Sequence, residues 1–168
     1  PGSRFGLLVT EEDCAPESLP VRDSPIALLG AVTTNTHSPL PVGRPAREFA
    51  IGAVADGLVL AARYFGLPAQ GARSDSWDDA LLAWARSNDL ESVVTAYAPV
   101  GPVAERLESA GQTLAKNGIE LVQLWRAYDT CTWPHATKGY FKLKSRIPDV
   151  LEQLGISGKQ QGAKRASI

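Results

Sequence analysis

The chain has no methionine and only two cysteines, Cys14 and Cys131, among its 168 residues. Two thiols so far apart in sequence, without metal-type spacing, exclude a zinc module and a disulfide scaffold, and they fit a reducing, cytoplasmic compartment. A start at Pro1-Gly2-Ser3 without Met reads as a processed end or a piece excised from something longer. Long apolar runs are missing too. The richest stretch, Phe49 to Phe65, is interrupted by Asp56 and Arg63 and follows a helical period, so no membrane span is expected. Charge of one sign is also lacking, with 17 Lys and Arg against 18 Asp and Glu. A net charge near −1 gives no whole-molecule pull toward nucleic acid or anionic membranes, and such binding would need a local patch. There is no Gly-x-Gly-x-x-Gly or Gly-Lys-Ser/Thr loop, and Ser24, Ser38 and Cys131 sit in no nucleophile elbow, which disfavours a hydrolase.

What is present is an ordinary globular composition, 44% hydrophobic and 21% charged, which predicts a folded core. The pattern places one α/β domain over residues 1–154 and a polar, flexible tail over 155–168. Phe5 to Thr10 and Ile26 to Val32 are short, continuously apolar runs, as expected of strands covered on both faces. Pro39, Pro41, Gly43 and Pro45 make a loop of Thr36 to Pro45. A helix follows to Phe65, with Phe49, Ala53, Leu60 and Tyr64 on one face, Leu58, Ala61 and Phe65 beside them, and Gly66 as its stop. Ser76-Trp77-Asp78-Asp79 resembles a capping box, opening a helix with a Trp77, Leu81, Trp84, Ala85 stripe. Ser92 to Ala96 predicts a strand, Val103 to Asn117 a helix whose first turn accepts Pro102, and Ile119 to Trp125 an edge strand. Those 34 residues are the size of a parallel βαβ crossover. Trp133 to Pro148 reads as irregular and Asp149 to Leu154 as a short helix.

This alternation predicts a three-layer, Rossmann-like α/β fold: a mostly parallel sheet of four or more strands with helices on both faces. Ligands in such sheets bind outside the strand carboxyl ends. The edge residues are Glu11 to Asp13, Thr33 to Asn35, Thr95 to Gly101 and Arg126 to Asp129, and Thr33, Thr95, Tyr97, Gly101 and Asp129 are the cofactor-binding candidates. Thr95 to Pro102 could receive an anion at a helix start, although Pro99 and Pro102 remove two donors, and the same segment also reads as a packing turn. Lys138-Gly139-Tyr140-Phe141-Lys142-Leu143-Lys144-Ser145-Arg146 interleaves four cations with two aromatics. Lys138, Tyr140, Lys142, Lys144 and Arg146 are therefore candidates for nucleic-acid or partner binding, while Tyr140, Phe141 and Leu143 could equally anchor a core. Glu11, Glu12, Asp13, Asp129, His37 and His135 are titratable groups with no partner legible from spacing.

Two segments carry a resemblance: Val94-Thr95-Ala96-Tyr97-Ala98-Pro99-Val100-Gly101-Pro102, and Trp133-Pro134-His135-Ala136-Thr137-Lys138-Gly139-Tyr140-Phe141 running to Ile147-Pro148. Together they resemble the α/β domain of the photolyase and cryptochrome superfamily, over most of Phe5 to Leu154. The Arg-Asp-Leu-Arg element usual after that family's first strand is replaced by Glu11-Glu12-Asp13-Cys14, and nothing matches the family's larger flavin-holding helical domain. The resemblance implies a domain that is non-catalytic alone and supports a light-driven DNA-repair or photoreceptor flavoprotein. It would be a photolyase-type lyase only when joined to that helical domain. FAD or an antenna chromophore would be held mostly through the partner, with weak DNA contact and no membrane. The alternatives are a stand-alone nucleotide-binding protein of the adenine-nucleotide α-hydrolase type and a structural subunit of a larger assembly.

Overall fold

Six consecutive buried residues, Phe5–Thr10, form β1 at the centre of the sheet. The computed structural model describes residues 4–33, 42–72 and 76–156. β2 is Ala27–Ala31, β3 Ala69–Ala72, β4 Ser92–Ala96 and β5 Glu120–Leu124. Their order is β3-β2-β1-β4-β5, and every pairing is parallel. This is the three-layer α/β fold expected, with β4 and β5 direct neighbours in the register Ser92↔Glu120 through Ala96↔Leu124.

Side chains of a strand point alternately to opposite faces, and the two faces fill two cores. Leu8, Leu29 and Val93 pack with Trp77, Leu81 and Trp84 of helix α2 (Trp77–Ser87) and Val103, Leu107, Ala110 and Leu114 of helix α3 (Pro102–Ala115). Phe5, Leu7, Val9, Leu28 and Val94 pack with Val54, Leu58 and Ala61 of helix α1 (Arg44–Phe65). The stripes expected for α2 and α3 are the buried ones, and Ser76 is the N-cap of α2: its Oγ accepts from the Asp79 N–H at 3.5 Å and donates to the Asp79 carboxylate at 3.0 Å.

Helix α1 buries Leu58 and Ala61 of the expected group but turns Phe49 and Tyr64 outward. Phe49 and Tyr64 are 77% and 65% exposed, whereas Val54, Gly57, Leu58 and Ala61 meet the sheet. Close approach decides this. A β-carbon at Gly57 would stand 2.8 Å from the Cys14 carbonyl oxygen, so the glycine lets α1 lie against the loop after β1, and the larger side chains turn outward. β3 was not foreseen. Ala69-Gln70-Gly71-Ala72 has no β-branched or aromatic residue to announce a strand, and it forms by completing the ladder along β2.

Two compact units divide the chain at Trp125 and Arg126, so the expected single domain to residue 154 spans both. The second unit begins with helices α4 (Ala127–Thr132), α5 (Tyr140–Lys144) and α6 (Ile147–Gln153), with a 3-10 turn over Trp133–Lys138. The stretch expected to be irregular is thus a series of short helices. Pro134 and Pro148 do not break them, because each sits in a first turn, where the missing N–H costs nothing. Among the described residues, no helix is long and apolar enough to cross a membrane. The expected loop of Thr36 to Pro45 lies largely outside the described residues, as does the tail beyond Ile156.

Candidate ligand site at the strand carboxyl edge

From β1 the connections run outward to β2 and β3, and then return to the other side for β4 and β5. At such a reversal the loops leaving β1 and β4 part and open a crevice, the usual ligand position in doubly wound sheets. Here Glu11 to Cys14 follow β1 and Tyr97 to Gly101 follow β4, and a β-carbon at Gly101 would stand 3.6 Å from Glu12 Oε1, so the two loops lie side by side at that edge.

On the β1 side, Asp13 N–H donates to Thr10 O at 3.1 Å, closing a tight turn. Glu11 Oε1 accepts from the Thr33 backbone N–H at 2.8 Å and from the Thr33 hydroxyl, tying the ends of β1 and β2 together. Glu11 Oε2 is buried without a hydrogen-bond partner. The Glu12 carboxyl is pushed above the ordinary 4.5, first by burial and then by the neighbouring Glu11 charge. Burial, followed by Asp13, Glu11 and Asp56, likewise pushes the Cys14 thiol up, and its Sγ lies 3.4 Å from Thr10 O. A thiol held protonated is a poor nucleophile.

On the β4 side, Tyr97 N–H donates to Leu124 O at 2.9 Å and Ala98 N–H to Gln123 Oε1 at 3.1 Å, which lashes the loop to β5. The Tyr97 ring then lies 4.1 Å from that of Trp125, tilted by 33°. Gly101 caps α3 with φ 158° and ψ −175°, a region essentially reserved for glycine. A β-carbon there would stand 3.6 Å from Glu12 Oε1, so a carboxylate lies beside the amide end of α3. This matters for ligand choice. Helix amide ends attract anions, but Pro102 supplies no N–H here and the adjoining loop already carries three acids.

Of the five cofactor candidates, Thr33, Tyr97 and Gly101 stand at this edge. Thr95 lies beneath it, its buried hydroxyl donating to Leu8 O at 3.0 Å as a tether between β1 and β4. Asp129 lies in α4 of the second unit. That unit also carries the other group of candidates. Tyr140 and Phe141 are 63% and 84% exposed, so they do not anchor a core, and their rings meet edge-on at 5.7 Å. Lys142 and Lys144 belong to α5, and Arg146 pairs with Asp149 at 3.3 Å. The Lys138 side chain, His37 and Ser38 lie outside the described residues, and His135 and Cys131 are half-buried.

Sequence reasoning missed the Glu11–Thr33 tie and the Tyr97–Trp125 pair. The second was within reach: pairing Ala96 with Leu124 sets the next residue of each strand side by side, and both are aromatic. Among the described residues, no group of three His, Cys, Asp or Glu could hold a metal ion. Comparison with known proteins matches no family model and no curated sequence.

Proposed function

We propose that the chain serves as the α/β domain of a photolyase- or cryptochrome-like flavoprotein, non-catalytic by itself and working with a flavin-binding helical domain or protein. One observation carries the reading. The parallel β4-α3-β5 unit, with Tyr97 and Gly101 in its crossover loop, precedes a short-helix unit carrying Trp133-Pro134-His135 and Lys138-Gly139-Tyr140-Phe141. That is the element order on which the resemblance rests. In this reading the edge at Thr33, Tyr97 and Gly101 faces an antenna chromophore or the partner's flavin, and contact with DNA falls to the second unit.

The nucleotide-binding alternative draws on the same crevice, but the acidic β1 loop opposes phosphate at ordinary pH. Near-ultraviolet and blue absorbance of the purified full chain, before and after incubation with FAD, separates the readings. A retained flavin or deazaflavin band supports the proposal. A colourless chain whose melting temperature rises with ATP replaces it with nucleotide binding, and neither signal replaces it with an assembly subunit.

A further inference from the structure

The near-zero net charge conceals a sharp division. Residues 1–125 contain nine Lys and Arg against fifteen Asp and Glu, net −6, whereas residues 126–168 contain eight against three, net +5. From Thr130 to Pro148 there is no carboxylate at all. Within that stretch lies α5, which buries none of its five residues. An exposed Phe141 beside an exposed Tyr140 gains nothing for folding.

We infer that α5 is a docking platform for single-stranded nucleic acid, with Phe141 and Tyr140 stacking on bases and Lys142, Lys144 and Arg146 meeting phosphates. Three features select this occupant. Positive charge without intervening acid complements a polyanion. The two rings meet edge to face, so at most one face of one ring is covered by the other, and every base presents a π-face to stack on. Finally, at 100° per residue Lys144 falls between Tyr140 and Phe141 while Lys142 lies 100° beyond Phe141, so one cation shares the ring side of the helix and the other stands next to it. Recognition of this kind tolerates any sequence and is strongly salt-dependent. The inference deepens the proposed function by naming the ligand class of its second unit, yet it needs no flavin and can fail alone.

The test is fluorescence anisotropy of a labelled oligo-dT strand titrated with the full chain at a series of salt concentrations. Phe141→Ala is expected to weaken binding about tenfold. Lys142→Glu with Lys144→Glu should weaken it further and flatten the slope of log K against log salt by about 1.4, about 0.7 for each lost phosphate contact on a single strand. Circular dichroism checks that each variant remains folded, which exposed positions favour. Unchanged affinity of the Phe141 variant overturns the inference, as does absence of wild-type binding at low salt. Poly-glutamate that competes as well as unlabelled oligo-dT would assign the surface to acidic proteins instead. Because no cofactor enters the measurement, a chain that binds oligo-dT keeps the platform intact whatever the absorbance experiment returns, and a chain that retains flavin but ignores oligo-dT loses the platform alone.

Discussion

Residues 1–125 and 126–156 are built on different terms. The first unit buries whole strands and three helix stripes, whereas the second buries only Thr132 and Val150 among its described residues. Helices of the second unit rely on neighbours a turn away: Thr132 Oγ1 donates to Tyr128 O at 2.8 Å, Ser145 Oγ to Lys142 O at 2.9 Å, and Arg146 pairs with Asp149. Local contacts of this kind are worth tenths of a kcal/mol each, whereas fully burying a leucine is worth about 1.5–3 kcal/mol. The sheet unit therefore sets global stability, and the second unit is free to spend its surface on binding, as low-stability segments commonly do.

The largest expected effect tests that contrast directly. Leu107→Ala, at a fully buried position on α3, should cost about 2–5 kcal/mol in urea unfolding. Leu151→Ala on the partly exposed face of α6 should cost about 1 kcal/mol or less. Equal losses would mean that the second unit has a core of comparable weight, and the comparison would fall.

Gly101→Ala comes next. Space is available for a methyl group, so its cost isolates the backbone, about 1–3 kcal/mol for holding a non-glycine residue in this conformation. Melting temperature and proton exchange of the α3 amides would report it. A neutral substitution would show that the α3 start relaxes freely and that the crevice is not held rigid from that side.

How much of this could be read beforehand follows from the physics of each element. β1, β2 and β4 were legible because residues buried on both faces must all be apolar, and α2 and α3 because one buried stripe leaves a 3.6-residue period. α1 showed its length and two of its buried residues, Leu58 and Ala61, but not the centre of its buried face. The burying stripe is chosen by the close approach at Gly57, and composition does not reveal a contact with Cys14. β3 left no trace, since its hydrogen bonds to β2 do the work that side chains do elsewhere. At the candidate site, topology gave the edge, and with it Thr33, Tyr97 and Gly101. It could not distinguish Thr95, one residue below the rim, because a hydroxyl facing a ligand and one donating to the Leu8 carbonyl look alike in sequence.

The smallest effect concerns the acid surplus of the sheet unit. Glu12 titrates above 4.5 in the folded chain, so the folded state holds its proton more tightly than the unfolded state. Its contribution to stability is thus fully present below that value and is lost as pH rises through the raised folded value. Glu12→Gln removes this dependence. The melting temperature of the variant relative to wild type should climb as pH rises across that window and level off above it. Should the variant instead melt lower at neutral pH, the carboxylate would be stabilising the amide end of α3 by more than desolvation and Glu11 cost it. The crevice would then be an anion position already occupied by the protein's own side chain, and neutralising Glu12 would be the step that opens it to a phosphate.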